Sequence, residues 1–235
     1  MRTCFFFALL LAAAPALAQS PSFGLKAGLN VSSTHSGSET SETLESIEGI
    51  DRRPRLGFVG GVTLDVPLTP VLGLRTEALY AQKGHQIDYD LVLEIIDGDD
   101  LVTNGALTAR IDYLELPVLL SAVFPVWDGL EIGLQGGVAP ALKLNTSTGC
   151  SGFEERGGCE EFLSVADFEV TGIKSFDLGG ALGLTIGAGP FAVDARYTRS
   201  IPRVDENDDF SETFLSPQDA RNGVISLTGT YRFGR

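Results

Sequence analysis

Imidazoles, carboxylates and thiols are the side chains of this chain that could do chemistry, and their spacing narrows what that chemistry is. The two histidines are His35 and His85, and Ser33 and Ser36 stand close to His35 in sequence. Acyl transfer needs a hydroxyl or thiol nucleophile within hydrogen-bond reach of a general base. Sequence adjacency does not supply that geometry. Both histidines fall in long connections or at strand ends, where a solvated imidazole needs no further role, so no enzymatic activity is expected. The glycines match no phosphate-loop or dinucleotide pattern, and the cysteines match no zinc spacing. No cofactor is expected. Two acidic clusters, Asp97, Asp99 and Asp100, then Asp205, Glu206, Asp208 and Asp209, offer the hard oxygens that calcium prefers. They lack EF-hand spacing and read by default as solvated, mutually repelling surface, so no metal is assigned.

The three cysteines fall into two groups. Cys4 stands just before an apolar stretch, Phe5 to Leu17, that follows the positive start Met1-Arg2 and closes on Ala16-Leu17-Ala18. A positive start, a hydrophobic segment too short to span a bilayer as a helix and a small-x-small cut describe a secretory signal over 1–18. The mature chain, 19–235, is then one barrel-sized domain of 217 residues (235 less 18). Cys150 and Cys159 remain in it, inside a Gly-, Ser- and Glu-rich segment. In an exported chain that pair reads as one disulfide, stabilising by roughly 2 to 3 kcal/mol through loop closure.

Formal charge moves from −14 to −15 when Arg2 leaves with the signal. Phosphate neutralisation needs clustered Lys and Arg, so nucleic acid is not an expected partner.

Behind these residues stands one recurring element. No mature segment offers 18 consecutive apolar residues. Period-two alternation recurs instead, placing one residue set on each face of an extended strand. In the first stretch Phe23, Leu25, Ala27, Leu29 and Val31 oppose Gly24, Lys26, Gly28, Asn30 and Ser32. The cleanest puts Leu130, Ile132, Leu134, Gly136, Val138, Pro140, Leu142 and Leu144 against Glu131, Gly133, Gln135, Gly137, Ala139, Ala141 and Lys143. Further strands cover 55–66, 72–83 running on towards Asp90, 111–124, 175–186, 191–198 and 224–233. In the fourth, Ile111 and Tyr113 fall out of phase with the apolar set that begins at Leu114, and a β-bulge near Tyr113 is expected.

Long connections, about 34–54, 84–108, 146–174 and 199–222, alternate with short turns. The expected fold is therefore all-β: an eight-stranded antiparallel up-and-down transmembrane β-barrel with four long extracellular loops and short periplasmic turns. The residue sizes set the facing. Gly, Ala, Ser and Thr dominate one set, as the cramped interior of an eight-stranded closure requires, and Leu, Val, Ile, Phe and Tyr fill the set that suits lipid. The small-residue face also carries six cations, Lys26, Arg75, Lys83, Lys143, Arg196 and Arg232, and six anions, Asp65, Glu77, Glu115, Glu131, Asp177 and Asp194. Charges in a narrow interior must pair. A balanced set predicts a salt-bridge plug rather than a water-filled pore. Aromatics near strand ends, among them Tyr80, Trp127, Phe191, Tyr231 and Phe233, suit interfacial girdles.

Phe23-Gly24-Leu25-Lys26-Ala27-Gly28-Leu29-Asn30, Tyr113-Leu114-Glu115-Leu116-Pro117 and Tyr231-Arg232-Phe233 resemble the PorT-like outer-membrane β-barrel domain family. The resemblance spans nearly the whole mature chain and implies an OmpX-sized barrel, with a link to protein secretion in some members. The chain departs from the usual terminal assembly signal by ending Phe233-Gly234-Arg235 rather than on an aromatic. The expected protein sits in the bacterial outer membrane as a monomer. It contacts outer-membrane lipid and presents acidic loops at the cell surface to an extracellular or secretion-machinery partner. The third loop, with Cys150, Cys159, Phe153 and Phe162, is the expected contact site. Alternatives are a small transport channel, an accessory component of protein secretion, and a soluble periplasmic barrel with the apolar set turned inward around a ligand.

Overall fold

The computed structural model describes residues 20–35, 50–94, 100–152, 175–201 and 221–233. All regular structure there is extended: β1 (Ser22–His35), β2 (Ile50–Pro67), β3 (Leu72–Glu94), β4 (Asp100–Glu115), β5 (Val118–Trp127), β6 (Leu130–Gly152), β7 (Phe176–Ala188), β8 (Phe191–Ser200) and β9 (Arg221–Phe233). All pairings are antiparallel, and they return to their start: β1 pairs with β2 on one side and β9 on the other, and β2 with β3. The sheet closes on itself.

Nine strands stand where the alternation predicts eight, and proline is the cause. β4 and β5 both lie between β3 and β6. Glu115 faces Leu79 and Val118 faces Thr76, three residues apart on each strand, so no residue is inserted at Leu116-Pro117. Pro117 has no N–H to give to the ladder. Its carbonyl still accepts from Glu77 N at 3.0 Å, and Leu116 N donates to the Pro140 carbonyl at 2.8 Å.

The strands alternate in exposure, most regularly on β8. On β8, Ala192, Asp194, Arg196, Thr198 and Ser200 are buried while Phe191, Val193, Ala195 and Tyr197 are exposed. The exposed set is mostly large and apolar: Leu25, Leu29, Val62, Leu120, Leu134, Leu182, Leu184 and Leu227 are all more than half exposed. The buried set holds the charged and small residues. Apolar outside and polar inside is thus the observed facing.

The interior is less uniformly small than its sequence suggests. Ile111 and Tyr113 point inward with Glu115, fully in phase along β4. The irregularity lies on the facing strand, where Asp112 pairs with Asn145 but Tyr113 with Lys143, leaving Leu144 as the extra residue. Val59, Leu79, Ala81, Leu107, Leu119 and Ala139 are also buried.

Short connections follow β2, β5 and β7, at the rim where Phe23 of β1 meets Phe233 of β9. Gly129 and Gly189 turn two of them with φ of +79° and +55°, a region that only glycine enters without strain. At the opposite rim the strands run further than their alternation marks. β3 and β4 stay paired to Glu94 and Asp100, and β4 and β6 to Gly105 and Gly152. The second long connection, expected over 84–108, narrows to 95–99. Residues 36–49, 95–99, 153–174 and 202–220 lie outside the described residues, and with them Cys159, Phe153, Phe162, Asp97, Asp99, Asp205, Glu206, Asp208 and Asp209. The segment 1–19 does as well, including Cys4.

Candidate functional site in the closed interior

Three tiers of charge cross the enclosed space. At the turn-side end, Arg232 Nη2 lies 3.4 Å from Glu131 and donates to the Gly189 carbonyl at 3.0 Å. Beside it, Arg75 donates to both oxygens of Asp65, Nε at 2.6 Å and Nη2 at 3.2 Å. This fork-on-carboxylate geometry is the strongest form of the pair.

The middle tier joins strands on opposite walls. Arg75 reaches Asp194 with Nη1 at 3.0 Å. Glu77 receives Lys26 at 2.9 Å and Arg196 at 2.6 and 2.8 Å. Lys26 also stands 3.5 Å from Asp194. The carboxylates of Glu77 and Asp194 are fully buried. Asp194 is wrapped further by Gln135, Thr185 and Thr230, each donating to it. Its oxygens therefore have partners on five strands, and the low-dielectric surroundings strengthen every one of them.

The third tier is looser. Lys83 meets Glu115 at 2.6 Å and sits 4.9 Å over the Tyr113 ring, a cation–π arrangement. Asp177 accepts from the Ser200 hydroxyl at 2.7 Å. Lys143 is half-buried beside the β6 irregularity, its backbone N–H bonded to the Ser175 carbonyl at 2.8 Å. The candidate charges thus gather into one tiered set, Lys143 at its margin.

Several participants carry no charge to flag them. Gln135, Thr185 and Thr230 are legible only as polar residues on inward positions of an alternating strand. His85, read as a loop or strand-end residue, is instead in β3 and mostly buried at 8% exposure. On the outer wall Arg110 is held by Asp112 at 2.8 and 3.0 Å and by the Tyr80 hydroxyl at 3.0 Å. A recess of about 220 Å³ at the turn-side mouth reaches Arg75 and Arg232, and a void of about 10 Å³ adjoins it.

Residues 17–206 match the family described as outer membrane protein beta-barrel domain. The chain belongs to this outer-membrane β-barrel family. The large apolar side chains on the outer wall of the barrel are accordingly its membrane-facing surface. No curated protein matches the chain in sequence. Among solved structures it is similar to OprG, an outer membrane protein of Pseudomonas aeruginosa, at 14% identity over 92% of this chain and 98% of that one, with a TM-score of 0.46. It is similar to Ail of Yersinia pestis, solved with the heparin analogue sucrose octasulfate, at 14% identity over 92% and 100% of the two chains, TM-score 0.37. Neisserial surface protein A gives 14% identity, 92% and 100% coverage and a TM-score of 0.37.

Proposed function

We propose that the barrel crosses the outer membrane with eight strands, β4 and β5 being two halves of one crossing. In this reading it is closed to ions and serves to anchor acidic loops at the cell surface, where they meet a partner protein. The carrying observation is the middle tier. Lys26, Arg75, Glu77, Asp194 and Arg196 span the interior from wall to wall, paired with one another. A pore lining would hold its charges apart across water; these are spent on each other. The long loops, with the expected Cys150–Cys159 bridge, would form the contact surface. A monomer embedded in outer-membrane lipid and delivered by a cleaved signal over 1–18 completes the reading.

Two measurements test it. Electrophoresis of boiled and unboiled samples in detergent should show a heat-dependent shift, and fractionation should place the protein with the outer membrane. A soluble periplasmic protein without that shift would refute the anchored barrel. Purified protein in planar bilayers should give no steady current. Ion-selective conductance would replace the closed interior with a small transport channel. Copurification of a secretion component would favour the accessory role that the PorT-like resemblance implies.

A further inference from the structure

The chain carries a formal charge of −14, yet cations collect on its outer wall at one rim. Among the described residues, Arg110 faces outward between buried Ala109 and Ile111, and Arg199 between buried Thr198 and Ser200. The Arg53 side chain is exposed beside Asp88, and Arg55 is half-buried. All four stand in the loop-side parts of their strands. Among the described residues no outward cation marks the turn-side rim, where Arg75 and Arg232 are buried.

Two of the four converge. Arg110 of β4 is held by Asp112 through Nε at 2.8 Å and Nη2 at 3.0 Å, and Nη2 also donates to the Tyr80 hydroxyl at 3.0 Å. The Asp112 side chain is covered at 9% exposure, whereas that of Arg110 keeps 39%. The carboxylate thus orients the guanidinium and leaves part of it open. From the other flank of β3, Arg55 Nη1 donates to the Lys83 carbonyl at 3.4 Å. Gln82 and Gly84, on either side of Lys83, pair with Asp112 and Arg110. The two guanidiniums therefore approach one strand at one level, near enough for their charges to act on each other. Asp112 offsets one of the two charges, so the cluster keeps one positive charge. Next along β2 towards the membrane-facing wall, Leu56 and Phe58 are exposed. We propose that Arg55 and Arg110 bind the phosphate of an anionic lipid in the leaflet at the loop-side rim, its acyl chains lying over Leu56 and Phe58. Guanidinium N–H groups match phosphate oxygens in pairs, and cations at the edge of an apolar wall meet headgroups. A soluble acidic partner fits less well, because the apolar side chains beside the pair would then have to leave lipid.

The test uses the full chain folded into phosphatidylcholine bicelles doped with increasing phosphatidic acid, with thermal unfolding followed by the heat-dependent gel shift. Tm should rise with the phosphatidic acid fraction and saturate. Arg110→Gln and Arg55→Gln should each raise the half-saturating fraction about tenfold, the loss of one charge-assisted hydrogen bond. Arg55→Gln carries the test if the Arg110 variant does not fold. Arg199→Gln removes the same charge elsewhere on the rim and should leave the response within about twofold of the parent protein. A Tm indifferent to phosphatidic acid would overturn the site. So would an equal rise with inorganic phosphate in undoped bicelles, which would mean a free-anion site, or an Arg199→Gln variant as impaired as Arg110→Gln, which would mean diffuse surface charge. The proposal rests on the membrane-crossing reading, which the gel shift in undoped bicelles checks by itself, and not on the closed interior, which conductance reads.

Discussion

Replacing Glu77 by alanine should unfold the barrel's interior from its centre. The fully buried Glu77 carboxylate takes three donors, Lys26 at 2.9 Å and Arg196 at 2.6 and 2.8 Å. Three charge-assisted bonds at about 1.5 to 3 kcal/mol each set an upper bound near 5 to 9 kcal/mol. Both cations keep a second partner, however: Lys26 retains Asp194 at 3.5 Å and Arg196 retains the Gln135 oxygen at 2.9 Å. The expected loss is therefore about 3 to 5 kcal/mol, the range for leaving a buried charge without its main partner. Glu77→Leu combined with Arg196→Met removes both charges at similar volume and should lose only about 2 kcal/mol. The double variant is thus more stable than Glu77→Ala alone, with strong coupling in the cycle. Urea unfolding of the protein in lipid vesicles, read by circular dichroism and by the gel shift, supplies the free energies. A Glu77→Ala variant within about 1 kcal/mol of the parent protein would refute the reasoning, as the middle tier would then contribute little beyond its own desolvation. So would a double variant whose loss equals the sum of the single losses.

Gly84→Ala should cost about 3 kcal/mol, because φ is +135° and a Cβ would clash with the Ala109 carbonyl oxygen; the same urea titration checks it. Trp127, the only tryptophan, is 77% exposed next to the β5–β6 turn, so its emission should shift to the blue on transfer into vesicles and be quenched by lipids brominated near the headgroup; unchanged emission would place that rim in water. Proteolysis without reductant should release one linked peptide containing Cys150 and Cys159, and Cys159→Ser should lower stability by roughly 2 to 3 kcal/mol.

Period two carried most of the architecture because a membrane wall demands it. Along β8 each outward position is apolar and each inward one small or charged, so Phe191 to Tyr197 could be read as a strand from composition alone. Where the wall ends, the demand ends with it. Beyond Tyr80, β3 continues through Gln82, Gln86 and Asp88, half-buried polar residues that bond to one another or to Tyr80 and carry no apolar alternation. Alternation marks it only to Lys83 with a continuation expected towards Asp90, so its end at Glu94 was out of reach, and His85 passed for a loop or strand-end residue. The broken fourth crossing had a local sign in Pro117, but whether proline ends a strand or only interrupts its ladder depends on the neighbours. Here β3 and β6 hold register on both sides.

Which charge meets which is a question of a different order. Alternation puts Arg75, Glu77, Asp194 and Arg196 inside, yet Arg75–Asp194 and Glu77–Arg196 are separated by 119 residues in sequence and join strands that do not pair. Those contacts depend on strand tilt and on the stagger of the closure, which place one level of β3 opposite one level of β8. Balance of sign could be counted along the chain; assignment of partners could not. That distinction explains why Asp177 looked like an ordinary member of a matched set of twelve. Lys143, its apparent counterpart by number, lies at the β6 irregularity, where the extra residue Leu144 shifts the strand against β4. One residue of bulge thus separates a charge count that closes from an interior in which the sixth carboxylate, Asp177, is met by the Ser200 hydroxyl and not by one of the five buried cations.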